Sequence, residues 1–389
     1  MPWKETCAME QRQAFIDAWL SGEFAMSELC RRFEISRPTG YKWLTRFRGE
    51  GLPGLRARSS APLLQARATS ADQIGAIVRL KHRYPNWGPL TIRDWLRREY
   101  PEQTWPAVST TGEILKRHGL VEPRQRRHHT PPATQPFASV SGANDVWSAD
   151  FKGQFALGDE RVCYPLTITD NYSRFLLCCQ GLYRPGYART RAYYERTFRE
   201  YGLPRVVRTD NGSPFASIAI GGLSALSVWL LKLGVLPERI DPGQPQQNGR
   251  HERMHRTLKA ATAKPPKANL SAQQRAFNAF RSEYNEERPH RSLGDGRRPH
   301  DVYRPSPRPY PVQLAEIEYA DDFAVRKVKQ EGHMKWHGQC VYITKVLAGE
   351  HIALKPLDHD CWELYFAALP LGIFDARTGK VIKPWQRSV

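Results

Sequence analysis

The spacing of apolar residues changes near residue 145, and this change limits the possible folds of the chain more than any other feature. Over residues 9–121, apolar side chains recur three and four positions apart, as on helices buried along one face. Beyond residue 145, four segments are typical of strands: VWSADF, RVCYPLTITD, RFLLCCQGL and RVVRTD. The segment GYARTRAYYERTFREYG is typical of a helix. Helices dominate again over residues 222–287. The pattern predicts helical modules followed by a mixed α/β layer fold.

Residues 1–60 are predicted to form three short helices with the rhythm of a helix-turn-helix domain. Ser36 is a typical N-cap, and it precedes the candidate recognition helix. Such a helix enters the DNA major groove by its first residues, which here would be Arg37, Thr39 and, one turn on, Lys42. The alternative is a small helical packing module without a DNA partner.

A basic segment rich in glycine and proline, GLPGLRARSSAP, follows this module. We expect Arg56 and Arg58 either to lie along a phosphate backbone or in a minor groove, or to belong to a solvated tether.

Residues 61–128 repeat the helical pattern and are predicted to form a second helix-turn-helix domain. Its last helix, which includes STTGEILK, makes Lys116 and Arg117 candidate DNA contacts. This helix and RPTGYKWL of the first module both carry a glycine one turn in. Because glycine inside a helix costs up to about 1 kcal/mol, the pair suggests close approach to a DNA backbone or to a neighbouring helix.

The rest of the chain divides by composition. A basic run, Arg124–His129, leads into a predicted flexible linker over residues 129–144, and the α/β core is expected over residues 145–310. Short β segments separated by glycine and aspartate turns fill residues 311–389. They predict a small antiparallel barrel or sandwich. Of the two, we expect a small all-β C-terminal barrel.

Positive charge is concentrated in the first two-thirds of the chain. The net charge is +8 over residues 1–149, +11 over residues 150–310 and zero over residues 311–389. A polyanionic partner, with DNA the obvious one, fits this distribution, although a basic protein without such a partner is the simpler alternative. The zero net charge of the last segment argues against a role for it in binding DNA.

Cysteine usage and hydropathy bear on location. The seven cysteines are an odd number without CxxC spacing, and the longest apolar stretch, Leu223–Leu236, is too short to cross a bilayer. The first ten residues lead into an amphipathic helix and do not resemble a signal peptide. We expect a reduced, cytoplasmic protein that is associated with the nucleoid.

Three carboxylates that are far apart in sequence are the candidate site. Asp150 lies in a predicted strand, and Asp210 follows the apolar pair Val206–Val207 and precedes an Asn-Gly turn. Glu252 lies in the predicted helix QNGRHERMHRTLKAA. Carboxylate oxygens are the ligands that Mg²⁺ prefers, often together with substrate phosphates, so the three predict metal-assisted chemistry on a phosphodiester.

Helical geometry predicts which way Glu252 points. Met254, Leu258 and Ala261 share the face expected to be buried, and Glu252 lies roughly opposite to it. On the Glu252 side we expect a basic, groove-facing stripe that could follow a phosphate backbone, formed by His255, Arg256 and Lys259. Taken alone, Glu252 is more simply a solvent-exposed partner of Arg256 four residues on.

An ordered set of motifs resembles the integrase-type core shared by DDE transposases of bacterial insertion sequences and retroviral integrases. The motifs are WSADFKG, TDNYSR, RTDNGSPF, PGQPQQNGRHERMHRTLK and YNEERPHRSL. ISRPTGYKWL and WGPLTIRDWL also resemble the paired helix-turn-helix modules of such transposases. The resemblance covers most of the chain and implies an RNase H-like core.

The resemblance also implies roles for the three carboxylates. Asp150, Asp210 and Glu252 would be catalytic and would hold two Mg²⁺ ions, for which Mn²⁺ could substitute. A water would hydrolyse DNA at an element end, and the freed 3'-hydroxyl would attack a target phosphodiester. The separation of Asp210 and Glu252 is larger than is usual in the family, and the segment SIAIGGLSALS is expected to supply the excess. By the same resemblance Asp170 is structural.

The partners implied are double-stranded DNA, as element ends and target, and further copies of the chain in a dimer or tetramer. The resemblance also admits a helper ATPase. Two other functions stay open on the sequence: a nuclease without strand transfer, and a DNA-binding transcriptional regulator with an inactive integrase core.

Overall fold

The computed structural model describes residues 7–58, 68–121, 138–151, 153–217, 219–241, 245–358 and 360–382. The basic run Arg124–His129 and the first part of the predicted linker lie outside these residues. The chain divides into two compact units, Met1–Ala68 and Thr69–Val389. Among the described helices, none has the length and apolar character needed to cross a membrane.

The first unit is a three-helix module. Its helices are α1 (Ala8–Leu20), α2 (Met26–Arg32) and α3 (Arg37–Glu50), followed by a 3-10 turn at Leu52–Leu55. Ser36 caps α3 as predicted, because its Oγ accepts a hydrogen bond from Thr39 N over 3.3 Å. One apolar cluster holds the helices together, with Phe15, Ile16, Leu29 and Leu44 at its centre.

The second unit begins with another three-helix module. Its helices are α4 (Ala71–Arg83), α5 (Pro89–Glu99) and α6 (Val108–Arg117). Ser70 caps α4 with a capping box that includes Gln73, and Pro89 starts α5 where a missing N–H costs nothing. The helices enclose Ile77, Trp87 and Leu115. The helical part of the predicted fold is confirmed for both modules.

A mixed sheet forms the core of the second unit. Its strands are β1 (Val146–Phe151), β2 (Phe155–Ala156), β3 (Val162–Asp170), β4 (Leu176–Leu182), β5 (Val206–Thr209) and β6 (Leu236–Arg239). The spatial order is β4-β3-β1-β5-β6, with the short β2 paired to the start of β3. β1 is antiparallel to β3 and parallel to β5, and β5 is parallel to β6. Sequence reasoning missed β6, because a four-residue strand containing Pro237 carries no alternation.

Helices cover both faces of this sheet. They are α7 (Tyr187–Tyr201), α8 (Ala225–Lys232), α9 (Gly249–Thr262) and α10 (Leu270–Ser282), followed by a π-helical turn at Glu283–Glu287 and by α11 (Pro299–Val302). Residues of α7 and α8 pack with Trp147 and Val207 on one face. Residues of α9 and α10 pack with Cys163 and Cys179 on the other. This arrangement, a mixed sheet with helices on both faces, is the α/β layer fold expected for the core.

The C-terminal region is all-β, but it is not a closed barrel. Its strands are β7 (Ala324–Lys327), β8 (His333–Trp336), β9 (Gln339–Tyr342), β10 (His351–Pro356), β11 (Cys361–Phe366), β12 (Leu369–Asp375) and β13 (Lys380–Ile382). Five of them form an antiparallel sheet in the order β13-β12-β11-β10-β7, and β8 pairs with β9 alone. β7 and β13 are edges among the described strands, so the predicted barrel is not confirmed.

The segment between Asp210 and α8 anchors this β region to the core. The segment forms a 3-10 turn at Ile220–Gly222, and Ile220 and Leu223 enter the same apolar cluster as Leu371. The Arg239 guanidinium donates to the carbonyls of Gly221 and Gly222 over 2.5 and 3.2 Å. The segment that was expected to supply the extra residues between Asp210 and Glu252 therefore builds an interface.

Candidate active site

Asp150 and Asp210 lie at the carboxyl ends of two adjacent parallel strands. The pairing runs from Val146 with Val206 to Ser148 with Arg208. Continued two residues further, the same register sets Asp150 opposite Asp210. Neighbouring strands are about 4.8 Å apart, so the backbones that carry the two carboxylates are close. The sequence predicted that Asp210 follows the end of a strand and that Asp150 lies within one, and the strands have these bounds.

A tight turn holds Asp210 immediately after β5. Its Oδ1 accepts a hydrogen bond from Gly212 N over 3.1 Å, and Asn211 Nδ2 donates to the carbonyl of Ile240 over 2.6 Å. A Cβ atom added to Gly212 would lie 3.0 Å from Asp210 Oδ2. Glycine at this position thus leaves room for the carboxylate.

Asp150 is anchored on the side of the sheet that α9 covers. Its side chain is 23% exposed, and its Oδ2 lies 3.7 Å from His255 Nδ1. The other ring nitrogen of His255, Nε2, lies 2.6 Å from Thr167 Oγ1. Thr167 is the residue paired with Asp150 across β1 and β3. His255 therefore joins helix α9 to the strand pair that carries Asp150.

A second histidine completes this buried network. His251 Nε2 lies 2.8 Å from Thr167 Oγ1, and His251 Nδ1 lies 2.7 Å from Thr169 Oγ1. Burial lowers the pKa of His251 to about 3, so its ring is neutral near pH 7. Sequence reasoning missed His251, although it stands four residues before His255 and therefore on the same helical face.

The position of His255 corrects the predicted basic stripe on α9. His255 is only 4% exposed and points to the sheet, so it is not on the surface with Arg256 and Lys259. Ala261, predicted to be in the buried face, is exposed, whereas Thr262 is buried. Two polar histidines occupy the core-facing side because threonine hydroxyls on β3 satisfy them.

Glu252 lies at the surface, in the first turn of α9. It lines a groove of about 580 Å³ together with Arg253, Arg256, Lys259 and Lys264. Among the described residues, no three His, Cys, Asp or Glu side chains stand close enough to hold one ion. The convergence of Glu252 with Asp150 and Asp210 thus stays a prediction.

Tyr194 on α7 lies near both aspartates. Burial raises its pKa well above the ordinary value, and the Cys178 thiol and the carboxylates of Asp150 and Asp210 raise it further.

Asp170 has the features of a structural residue. It is 1% exposed, and its carboxylate accepts hydrogen bonds from Asn144 N, Ser173 N and Ser173 Oγ over 2.6–2.8 Å. Burial raises its pKa, although these hydrogen bonds oppose the effect. Through these hydrogen bonds Asp170 stabilises the turn between β3 and β4.

Two residues that the sequence did not single out position the start of α9. Gln247 Oε1 accepts from Asp241 N over 2.7 Å, and Gln247 Nε2 donates to Asp241 Oδ2 over 2.8 Å. Asp241 stands two residues beyond β6, so this double hydrogen bond ties the helix that carries Glu252 to the sheet edge.

The DNA contacts predicted in the first unit occupy mixed positions. Arg37, Lys42 and Arg56 are exposed. Thr39 is partly engaged, since its Oγ1 lies 2.8 Å from Ser36 Oγ in the helix cap. Arg58 is exposed and forms an ion pair with Glu50. Their contacts with DNA stay predictions.

In the second module, Lys116 and Arg117 are both exposed at the end of α6. The two glycines that seemed to match differ in their surroundings. A Cβ atom at Gly40 would lie 2.7 Å from Cys30 Sγ and 3.1 Å from Phe15 Cζ, so Gly40 permits close helix packing. At Gly112 the nearest atom, on Pro89, would be 3.6 Å away, which is an ordinary contact.

The chemistry of the two strand-end aspartates suits a divalent cation. Asp150 and Asp210 offer hard oxygen donors from adjacent strands, and both side chains are partly accessible to solvent. Glu252 lies on the helix that His255 ties to Asp150. An Asp150–Asp210 pair, with Glu252 brought in from α9, is a donor set of the right type.

Models of known families match most of the chain. Models described as an integrase core domain match residues 140–245 and 233–296. A homeodomain-like domain model matches residues 39–115, and a helix-turn-helix domain model matches residues 11–62.

Two relatives from insertion elements are matched over most of their own length. The chain is 27% identical over 292 residues to the Insertion element IS476 uncharacterized 39.2 kDa protein of Xanthomonas euvesicatoria, covering 72% of this chain and 78% of that protein. It is 28% identical over 222 residues to the Insertion element IS407 uncharacterized 31.7 kDa protein of Burkholderia multivorans, covering 56% and 76%.

Among solved structures, the HTLV-2 integrase catalytic core domain in complex with magnesium is 15% identical, with a TM-score of 0.34. The match covers 42% of this chain and 99% of that domain. The integrase-core and helix-turn-helix matches, together with the insertion-element relatives, support an insertion-element DDE transposase.

Proposed function

We propose that this transposase binds the terminal inverted repeats of a mobile element, cleaves DNA at the element end and joins the freed 3'-hydroxyl to target DNA. The observation that carries the proposal is the parallel register of β1 and β5, from Val146–Val206 to Ser148–Arg208, which if continued by two residues would set Asp150 opposite Asp210. Two carboxylates that close would repel each other in an ordinary core, but they suit cation-assisted phosphodiester chemistry.

Asp150, Asp210 and Glu252 would together hold two Mg²⁺ ions, with Mn²⁺ as a substitute. When bound, such ions stabilise the attacking and leaving oxygens of an in-line displacement at phosphorus. The chain's own residues provide the frame. The turn at Gly212 orients Asp210, and His255 holds α9, with Glu252 on it, against the strand of Asp150.

The exposed cations supply the substrate contacts in this proposal. Arg37, Lys42, Lys116 and Arg117 would contact element-end DNA, with Thr39, Arg56 and Arg58 beside them. Arg256 and Lys259 would contact the DNA backbone next to Glu252. We further propose a dimer or tetramer, because one transposition event joins two element ends. Strand transfer exchanges one phosphodiester for another, so a helper ATPase would serve target choice and not the chemistry. Such a protein would work at the nucleoid.

The test is a cleavage and joining assay with purified full-length protein, Mg²⁺, a labelled element-end duplex and plasmid target. We expect both cut and joined products. Asp210→Asn should reduce both by on the order of a hundredfold, because it removes a charged oxygen ligand. Asp159→Asn, the same change at an exposed turn before β3, is the matched control and should retain activity.

The other functions predict different products. Cut DNA without joined product would indicate a nuclease. Sequence-specific binding with no product, unchanged by Asp210→Asn, would indicate a regulator with an inactive core and would refute the enzymatic proposal.

A further inference from the structure

An arginine-lined cleft lies in the second unit, beside the groove that contains Glu252. It has a volume of about 870 Å³. We call it the arginine cleft, after six of its lining residues: Arg174, Arg250, Arg253, Arg256, Arg288 and Arg291. None of the lining residues that the structure describes is acidic. A concentration of six positive charges without an acid in the wall favours an anionic ligand.

The arginines come from separate elements and are held toward one another. Arg174 is in the turn between β3 and β4, Arg250 and Arg253 are on α9, and Arg291 follows the π-helical turn. Arg174 Nη1 and Arg250 Nη1 both donate to the carbonyl of Asn171, and Arg174 Nε donates to Ser292 Oγ over 3.3 Å. One carbonyl thus gathers two guanidinium groups despite their repulsion.

The electrostatics agree with this geometry. Burial, and then the nearby charge of Arg250, lowers the pKa of Arg174 to about 10. Even so, Arg174 stays charged at neutral pH. A bound phosphate would relieve the repulsion between these groups, because an Arg–phosphate pair forms strong, often bidentate hydrogen bonds.

Three nearby carboxylates contact the second helical module, although Glu283 Oε1 also lies 3.9 Å from Arg288 Nη1 of the cleft. Trp87 Nε1 donates to Glu283 Oε1 over 2.6 Å, and Tyr84 donates to Glu287. Arg98 Nη1 lies 2.5 Å from Asp301 Oδ2. These contacts dock the module on the core, and Glu283 offsets part of the charge of only one of the six arginines, Arg288, by the ion pairs among the described residues.

The docked module also contributes to the lining of the cleft. Asn86, before α5, and Thr91, in its first turn, line the same cleft and offer polar side chains. Positively charged groups together with small polar groups suit a sugar–phosphate backbone, which combines charged oxygens with a neutral sugar.

The cleft is continuous with the candidate active site. Arg253, Arg256 and Ala260 line both the arginine cleft and the groove that contains Glu252. We propose that the arginine cleft binds the phosphate backbone of one strand of the DNA substrate, leading it along α9 past Glu252. This inference rests on the proposed function and adds a strand-binding site made jointly by the core and the second helical module.

The experiment measures the salt dependence of DNA binding by the full-length protein. The test variant is Arg253→Gln/Arg291→Gln, because both side chains are exposed in the cleft. The matched control is Arg161→Gln/Arg275→Gln, which removes two exposed arginines outside it. Each protein is titrated with a fluorescent element-end duplex over a range of salt concentrations, and its thermal unfolding is recorded.

We expect the cleft variant to unfold like the parent and to reduce the slope of log binding constant against log salt by about two. Its affinity near 0.1 M salt should fall by on the order of tenfold per arginine, while the control stays within about twofold of the parent. An unchanged slope, or equal losses in the cleft and control variants, would overturn the proposal.

A second readout separates this inference from the proposed function. If the parent cuts and joins DNA but the cleft variant keeps its salt slope, the cleft is not a strand site and the transposase proposal stands. If the slope falls by two but no protein cuts DNA, the cleft stands and the enzymatic proposal fails. Competition by poly-glutamate peptide as effective as that by DNA would show a general anion surface and refute a strand site.

Discussion

His255 Nδ1 lies 3.7 Å from Asp150 Oδ2, while the Nε2 atom of the same ring lies 2.6 Å from the Thr167 hydroxyl. The imidazole thereby links α9 to the strand that carries a candidate metal ligand. Groups of this kind, which orient a ligand without binding the substrate, typically change metal affinity or activity by about 10–100-fold when removed.

His255→Gln should therefore lower the rate of DNA cleavage at saturating DNA by about 10–100-fold, with little change in DNA affinity. Single-turnover cleavage and separate binding titrations measure the two effects. A loss of DNA affinity with an unchanged cleavage rate would place His255 on the DNA-binding surface after all.

Lys259→Gln, in contrast, should change DNA affinity. Lys259 is exposed in the groove that contains Glu252, so its loss should weaken DNA binding and reduce the salt slope by about one, and Arg256→Gln should do the same. Lys267→Gln, an exposed lysine beyond the end of α9, is the control and should leave the slope unchanged. Identical slopes in all four proteins would refute the placement of DNA along α9.

Asp301→Asn should loosen the docking of the second helical module on the core. Burial alone would raise the pKa of Asp301, but hydrogen bonds from Arg98 and Arg298 outweigh it and lower the pKa from 3.8 to about 2. Because the folded-state pKa is depressed, the stabilisation is complete above about pH 4 and disappears as the pH falls to about 2. After an allowance for solvent screening it amounts to about 1 kcal/mol.

Hydrogen exchange of α4–α6 measures this effect in the full chain. Protection in Asp301→Asn should be lower than in the parent at pH 6, and the difference should shrink toward pH 3. A constant difference across this range would show that ionisation of Asp301 does not stabilise the interface.

Two glycines of α3 make a matched pair for the packing of the first module. Gly40→Ala would place Cβ 2.7 Å from Cys30 Sγ and should destabilise α1–α3 by about 1–3 kcal/mol. At Gly49 nothing lies within 4 Å of an added Cβ, so Gly49→Ala should stabilise the helix by up to about 1 kcal/mol. Hydrogen exchange of α3 in the full chain measures the stability change caused by each substitution. Equal effects of the two changes would exclude close packing as the reason for Gly40.

The carboxylate pair shows how far local pattern can predict a site. The apolar strand before Asp210 and the Asn-Gly turn after it place the residue at a strand end from sequence alone. The exposure of Arg256 and Lys259 follows equally from helical spacing. Each of these properties depends on neighbours within one turn or one strand, which periodicity records.

His255 shows where the same reasoning stops. A histidine on a helix is expected at the surface unless partners satisfy its ring nitrogens, and its partners here are on strands far away in the sequence. β6 was missed for a related reason, because its four residues become a strand through parallel pairing with β5. The C-terminal strands were expected to close into a barrel, but closure depends on which edges pair, and pairing is not a local property.

The sequence by itself determined the helical modules and the main strands of the core, and it predicted the three carboxylates as the candidate site, because periodicity, caps, turns and motifs depend on neighbouring residues. Only the tertiary structure decided that β1 and β5, which lead to Asp150 and Asp210, pair side by side, that His255 is buried, and that acids of the core dock the second module while arginines line a cleft. These relationships depend on long-range strand pairing and on hydrogen bonds to buried polar groups. Both are decided by the fold as a whole and not by neighbouring residues.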